Sequence, residues 1–418
     1  MKPKFLFLVS LFAMFLLIGV TAQGAEGEAA SHAELIKESL AALKENTAAL
    51  KSLTEALKRV QFNGPAVGAS VFDEISDKSP AELAPEEIAK LVASLNWETN
   101  TTYKGFGDKR AKKGGTLTCV ESSFPPTLRT VGKNANSVFT STLSGFCYET
   151  LLDLDPITYD YSPNLAKRWA IADDKVTFFF ELDERAKWSD GKPVVASDFV
   201  YSWKLYTDPS IDDPFTVDYY NKYECPVALT DKIIMVKSKQ LNWRAFMSMG
   251  FMTVLPGHII SKIDGKKYLD EYQFKLMPGS GPYAYESAKV NEEIVLVRRA
   301  DWWQAQLERT TGYYNFDKLH FIFVQDENLV KEKFKKGEVD WMMVNVAREW
   351  HQEFISAKML PIANGWIQRR KIYTHRPIGT SGIAFNMRKP PFDDIRVRKA
   401  FAYLYNREKM MDKLFFNE

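Results

Sequence analysis

The chain has 418 residues, 45% hydrophobic and 13% aromatic, which is too apolar for a disordered polymer and long enough for two or three domains. It carries 55 Lys and Arg against 53 Asp and Glu; Lys2 and Lys4 lie in an acid-free first 24 residues, so the remainder balances at 53 against 53. That excludes the basic surplus with which a nucleic-acid binder gathers phosphates, and three cysteines exclude a disulfide-stapled scaffold.

The chain opens on a basic start, Met1 to Lys4, then an apolar run, Phe5 to Val20, then Thr21-Ala22-Gln23-Gly24-Ala25. This is the order of a secretory signal peptide over residues 1–24, cleaved after Gly24. The competing reading is a retained anchor, since the run of about 16 residues is at or just under spanning length. No cysteine adjoins the cleavage region, so no lipid is expected there, and no later segment is long and apolar enough to span a bilayer. A soluble periplasmic protein is the expectation. In that compartment Cys119, Cys147 and Cys225 can form at most one pair; buried free thiols are expected, with one disulfide as the alternative.

Residues 25–65 read as a separate unit. Ser31 and Glu34 make a capping-box pattern. Ile36, Leu40, Leu43, Thr47, Leu50, Thr54 and Leu57 follow at alternating spacings of 4 and 3, and Gly64-Pro65 ends the helix. Either residues 31–60 form a short coiled coil through which copies self-associate, or they form one amphipathic helix lying on its own domain. Residues 66–112 read as a linker with one small helix. Its start signals are Ser79-Pro80-Ala81-Glu82 and Pro85-Glu86-Glu87, its body is Ile88 to Leu95, and Asn100 to Lys113 reads as an extended surface connection.

Strand patterns begin at Thr116 to Val120 and continue at Val176 to Leu182, Ile233 to Val236, Ile294 to Val297 and Leu319 to Val324. Helical stretches lie at Ala196 to Tyr206, Asn328 to Lys336 and Arg396 to Phe415, the last capped by Asp393-Asp394. The mixture argues an α/β architecture.

Motifs for chemistry are missing. There is no P-loop, no His-Glu-x-x-His and no Gly-x-Ser-x-Gly, and the five histidines show no metal-ligand spacing. Neither enzyme activity nor a cofactor or metal is expected, although an exported hydrolase stands as a minor alternative. Aromatic residues gather near turns, among them Trp169, Trp188, Trp203, Trp302, Trp303, Trp341, Trp350 and Trp366. Most should serve packing, and some should line an apolar ligand cleft.

An ordered set of motifs spans residues 113–418. Lys113-Gly114-Gly115-Thr116-Leu117 is followed by Tyr148-Glu149-Thr150-Leu151-Leu152, Pro163-Asn164-Leu165-Ala166-Lys167-Arg168-Trp169 and Lys187-Trp188-Ser189-Asp190-Gly191-Lys192-Pro193. Gly279-Ser280-Gly281-Pro282-Tyr283, Arg298-Arg299-Ala300-Asp301-Trp302-Trp303, Lys336-Gly337-Glu338-Val339-Asp340 and Pro390-Pro391-Phe392-Asp393-Asp394-Ile395-Arg396-Val397-Arg398 complete it. The set resembles extracellular solute-binding protein family 5, the oligopeptide and dipeptide class of ABC-transporter binding proteins. Asn345-Val346-Ala347-Arg348-Glu349-Trp350 is similar to the branch for murein peptides and peptide-nucleotide antibiotics. Physically, the Trp188–Gly191 turn, Asp198 at a helix head and the Gly279–Pro282 bend read as fold determinants.

The resemblance implies a type II periplasmic-binding-protein fold of two lobes, with the first over 113–320, the start of the second over 321–418 and a hinge near His320 to Asp326. It implies a peptide or peptide-like solute and ABC permease subunits as partners, with closure of the lobes around the solute. The alternative is a sensory receptor subunit acting through the 31–60 helix. Contacts are expected from Lys133, Asn134 and Asn136 in the first cleft-bordering loop, from Tyr219 and Tyr220, from Asn291, and from Glu349 and Trp350 past the hinge. The loop Pro126 to Gly132 departs from the family's "L-D-P". The chain stops at Glu418, where members of the family continue, so a truncated second lobe is expected.

Overall fold

The structure is a computed structural model that describes residues 83–373, 379 and 382–416. The chain divides into Met1–Ser70 and Val71–Glu418, and every described residue belongs to the second unit. The signal segment 1–24, the unit 25–65 with its 31–60 seam and the first part of the 66–112 segment lie outside the described residues.

The described elements are α1 (Pro85–Ser94), β1 (Thr116–Glu121), α2 (Val138–Cys147), β2 (Leu152–Leu154), β3 (Tyr161–Pro163), β4 (Ala166–Ile171), β5 (Thr177–Leu182), α3 (Ala196–Tyr206), α4 (Pro214–Tyr220), β6 (Val227–Ala228), β7 (Ile233–Lys237) and α5 (Ala245–Gly250). They continue with α6 (Gly257–Ile260), α7 (Gly265–Glu271), β8 (Tyr283–Lys289), β9 (Glu293–Arg298), β10 (Lys318–Phe323), α8 (Glu327–Lys335), α9 (Leu360–Ala363), α10 (Ile395–Leu404) and α11 (Arg407–Lys413).

Two four-stranded sheets carry the core. In the first, ordered β1-β10-β9-β8, β1 and β10 run parallel with Cys119 opposite Phe321, and the other pairs are antiparallel. After α8 the chain returns to the free edge of β1. There Asp340 N donates to Thr118 O (2.9 Å), Thr118 N donates to Asp340 Oδ2 (2.8 Å), and Trp341 bridges Cys119 in parallel. A boundary at 320/321 therefore falls inside β10, and the hinge expected at His320 to Asp326 begins within a strand of this sheet, which reaches Trp341. The reason is topological: β10, α8 and the 339–341 segment form a crossover that brackets β1.

The second sheet, β4-β5-β7-β6, is antiparallel. Strand β5 holds three consecutive phenylalanines, and the period of two sends them to opposite faces. Phe178 and Phe180 enter the main core against Phe246, at 5.5 and 5.3 Å between ring centroids. Phe179 faces the other way and is covered by Leu91 of α1 together with Ala170, Leu229 and Ile233. Helix α1 thus closes a sheet face that would otherwise be wet. Glu98 pairs with Trp169 as an edge bridge, and the Arg168 guanidinium lies 4.5 Å from the Trp97 ring. The small helix expected within the 66–112 linker is thus present, but residues 85–98 pack on the β4-β5-β7-β6 sheet rather than serving as a free connection. The stretch beyond them is extended but docked, since a Cβ on Gly105 would sit 2.3 Å from Arg309 O.

The Arg396 to Phe415 stretch divides into α10 and α11. Asn406 causes the break: its side-chain oxygen accepts from Lys409 N (2.9 Å) and caps a new helix. All three cysteines are free, with Cys147 buried, Cys119 partly buried and Cys225 exposed. The expectation of buried thiols therefore fails at Cys225. Burial pushes the Cys119 thiol up to about 11 and that of Cys147 up to about 12, which makes both poor nucleophiles.

Three motifs far apart in sequence converge on Glu149, at the junction of α2 and β2. Its Oε1 accepts from Trp302 Nε1 (3.1 Å) and Gln304 Nε2 (2.6 Å), its Oε2 accepts from Trp303 Nε1 (2.9 Å), and its backbone N donates to Ser280 Oγ (3.0 Å). Gly279 and Gly281 lie so close to the end of α2 that added Cβ atoms would meet Cys147 O at 2.0 Å and Phe146 O at 2.6 Å. Buried Arg299 donates to both glycine carbonyls, at 3.0 and 3.2 Å. A second clasp joins the Trp188 turn to α3. Asp198 Oδ2 accepts from Trp188 Nε1 (3.0 Å) and Val195 N (2.9 Å), and Oδ1 accepts from Gly257 N (2.8 Å).

Burial raises the Glu149 carboxyl to about 7, against the pull of its N–H donors. A carboxyl that holds its proton more tightly in the folded chain adds stability below its ordinary value of 4.5, and loses that contribution as pH climbs to about 7. Chemical unfolding followed across that window should show stability falling as pH rises, and Glu149→Gln should remove that component of the slope. An unchanged profile in the variant would contradict the assignment. Gly279→Ala should cost about 3 kcal/mol or more in urea unfolding, because the methyl has only backbone to displace. Wild-type stability in that variant would contradict the close approach.

Candidate ligand-binding site

In open α/β sheets, ligands sit outside the carboxyl ends of the parallel strands. Here β1 and β10 end together at Glu121 and Phe323, and the segments leaving them are tied by Val324 N donating to Glu121 O (2.9 Å). The loop from β1 to α2 leaves this end with the Phe124 ring 4.8 Å from that of Phe323. Its departure from the family pattern is an anchor: Leu128 and Arg129 are buried, and the Arg129 guanidinium donates to Leu269 O (2.9 Å) and Lys133 O (2.8 Å). Thr140 Oγ1 also donates to Thr127 O (3.0 Å), and the Ser137 side chain accepts from Thr140 N (3.0 Å) to cap α2. With Leu128 and Arg129 turned inward, Lys133, Asn134 and Asn136 are left exposed.

Lys133 Nζ reaches Asp212 Oδ2 (2.7 Å), and Lys133 N donates to Ile211 O (2.9 Å), so this loop adjoins the chain entering α4. Tyr219 and Tyr220 lie on that helix. Tyr220 is packed inward, its ring 5.3 Å from Tyr206 and its carbonyl accepting from Trp203 Nε1 (3.1 Å). The Tyr219 hydroxyl shares a hydrogen bond with Ser248 Oγ (2.5 Å). Asn291 turns the β8–β9 hairpin, next to Glu292, whose carbonyl accepts from Phe323 N (3.0 Å) at the carboxyl end of β10. Asn134 and Asn291 both have φ of 63°, a left-handed conformation that itself favours asparagine.

Glu349 and Trp350 are held elsewhere. Glu349 is buried and ion-paired with Lys331 Nζ at 2.5 Å. The Trp350 ring lies 4.1 Å below the Arg369 guanidinium, and Arg369 Nη2 donates to Trp350 O (2.6 Å). An open hollow of about 470 Å³ adjoins Lys331, lined also by Lys335, Glu353, Phe354, Lys358 and Met359. The structure therefore brings Lys133, Asn134 and Asn136 beside the start of α4, sets Asn291 at the end of β10, and uses Tyr220 and Glu349 for packing and pairing.

Sequence reading missed Glu121. It closes β1, opposite Phe323, half-buried and without an ion-pair or side-chain hydrogen-bond partner among the described residues. Burial raises its carboxyl above the ordinary range. The faint signal for it was one acidic residue at the end of an otherwise uncharged strand, Thr116 to Val120.

The description "Bacterial extracellular solute-binding proteins, family 5 Middle" matches residues 160–418, more than half of the chain. A putative binding protein of Brucella melitensis is 27% identical over 363 residues, covering 83% of this chain and 56% of its own length. A probable peptide-binding protein of Agrobacterium fabrum, YejA, is 25% identical over 339 residues, covering 78% of this chain and 53% of its own. The chain thus spans about half the length of the curated relatives it matches. Among solved structures, the Escherichia coli murein tripeptide binding protein aligns with a TM-score of 0.56 at 20% identity, over 72% of this chain and 58% of that one, which makes the fold that of bilobal periplasmic binding proteins. The chain belongs to the bacterial extracellular solute-binding proteins of family 5.

Proposed function

We propose that the chain is the substrate-binding part of an ABC importer for peptides or peptide-like solutes, and that it acts by closing two lobes around its ligand. The observation that carries this reading is the loop Ser122–Ser137 that leaves the shared carboxyl end of β1 and β10 and is anchored by Arg129, in a chain of a solute-binding family. Peptides are the class named for the Agrobacterium relative, and a murein tripeptide is named for the Escherichia coli structure. No bond is made or broken in this role. The Met1–Gly24 segment would direct export to the periplasm, and permease subunits would receive the solute.

The first lobe would run through Trp341 rather than end at 320, since that residue still pairs with β1. Lys133, Asn134 and Asn136 would meet the ligand from the first lobe, with Asn291 flanking them. Tyr219 would border this region, and Trp350 would approach from beyond the crossing. Glu121 would take a cationic group of the ligand, because it is a partly desolvated carboxylate with no partner of its own among the described residues.

Titration calorimetry and thermal unfolding with a defined panel of di- and tripeptides, including murein tripeptide, test the reading. A peptide at about 100 times its Kd should add about 2.7 kcal/mol of stability and be recovered unchanged. Glu121→Gln should weaken peptides with a free amine about tenfold, a charge-assisted bond being worth about 1.5 kcal/mol or more, while sparing N-acetylated peptides. Absence of any stabilisation across the panel, or hydrolysis of the peptide, would contradict the proposal.

A further inference from the structure

The edge of the first sheet carries an indole with nothing to pair with. Trp341 is 51% exposed, and among the described residues its ring meets no other aromatic ring and its Nε1 finds no acceptor. Its backbone is nonetheless held in place. Trp341 bridges Cys119 in parallel, and the residue before it is tied twice to β1, by Asp340 N donating to Thr118 O (2.9 Å) and Thr118 N donating to Asp340 Oδ2 (2.8 Å).

Side chains alternate along a strand, and residues bridged across strands share a face. Trp341 therefore lies on the face of Cys119, and so on the face of Glu121, two residues further along β1. With about 4.8 Å between strands and about 6.6 Å between alternate residues, the Cα atoms of Trp341 and Glu121 are roughly 8 Å apart. This is the face on which Phe139 of α2 packs against Phe321 and Phe323, at 5.1 and 5.3 Å between ring centroids. It offers Glu121 no cation from β1 or β10. Leu117 and Cys119 precede Glu121 on it, and Phe323 stands opposite in register. His320 lies on the other face and shares a hydrogen bond with Glu293 (2.8 Å). The nearby acid Asp340 is already engaged by Thr118 N.

A carboxylate without a counter-ion, beside an indole with an open ring face, complements an organic ammonium. The carboxylate accepts the N–H donors, and the ring attracts the cation and covers the carbons attached to it. A neutral amide or a second carboxylate gains nothing from the pair. We propose that Trp341 is a ligand contact, and that it and Glu121 hold a protonated amine of the solute between ring and carboxylate. This inference rests on the importer role proposed above and narrows the solutes to those that present an ammonium group. The ring responds to the charge alone, so it serves a methylated ammonium as well as one that carries N–H donors.

The test is titration calorimetry of the full chain with trialanine whose amino end is free, acetylated or trimethylated. Trp341→Leu should weaken the free and trimethylated forms about fivefold and leave the weaker binding of the acetylated form unchanged. Trp341→Phe keeps a ring and should restore most of the loss. Both variants should unfold at the wild-type midpoint, because the indole is half exposed. The proposal is overturned if Trp341→Leu binds free trialanine like wild type, if it weakens all three forms alike, or if Trp341→Phe is no better than Trp341→Leu. It is overturned as well if wild-type protein binds neither cationic form better than the acetylated one. The importer role stands through each of these results if another peptide of the panel binds, and fails by itself if none does.

Discussion

The β1–β10 sheet and the loop leaving it depend on a buried carboxyl group that cannot be left unpaired. Glu149 sits where α2 turns into β2, and three N–H donors from Trp302, Trp303 and Gln304 converge on it. The same junction is gripped from the other side by the glycine turn at 279–281, whose carbonyls Arg299 holds. Each contact alone is worth about 1 kcal/mol net, but losing the acceptor strands several buried donors at once. The clasp fixes the end of α2, and α2 in turn holds the loop that leaves the carboxyl end of β1, through Ser137 and Thr140. The candidate ligand site thus rests on an interaction made behind it.

Much of this was legible in the residues. The five strand patterns correspond to β1, β5, β7, β9 and β10, because alternation and β-branched or aromatic runs are local signals. The ordered motifs identified the family, and reading Gly279, Gly281, Trp188 and Asp198 as fold determinants agrees with their contacts. What was not legible depends on long-range packing. Helix α1 looked like part of a linker because its docking partner, Phe179, lies nearly ninety positions on. The motifs around 149, 280 and 302 could each be recognised, but their convergence needed the fold. The break at Asn406 was hidden by a continuous helical pattern on both sides. Glu121 escaped notice because its lack of a partner among the described residues is a property of space, not of sequence.

The candidate site is correspondingly mixed. Lys133, Asn134 and Asn136 are exposed beside the start of α4, and Asn291 turns the hairpin at the end of β10. Tyr220 and Glu349 have structural partners that account for their presence. In a hinge-closing binder, affinity comes from contacts present only when both lobes touch the solute, and closure is a shift in population toward that state.

The central claim is that a solute is gripped at the carboxyl ends of β1 and β10. Hydrogen exchange of the chain with and without a binding peptide tests it most directly. Amides of Ser122–Ser137 and the Asn291 turn should exchange more slowly with peptide bound, while β5 should be unchanged. Protection confined to the hollow beside Lys331, or absent from the 122–137 loop, would contradict the account.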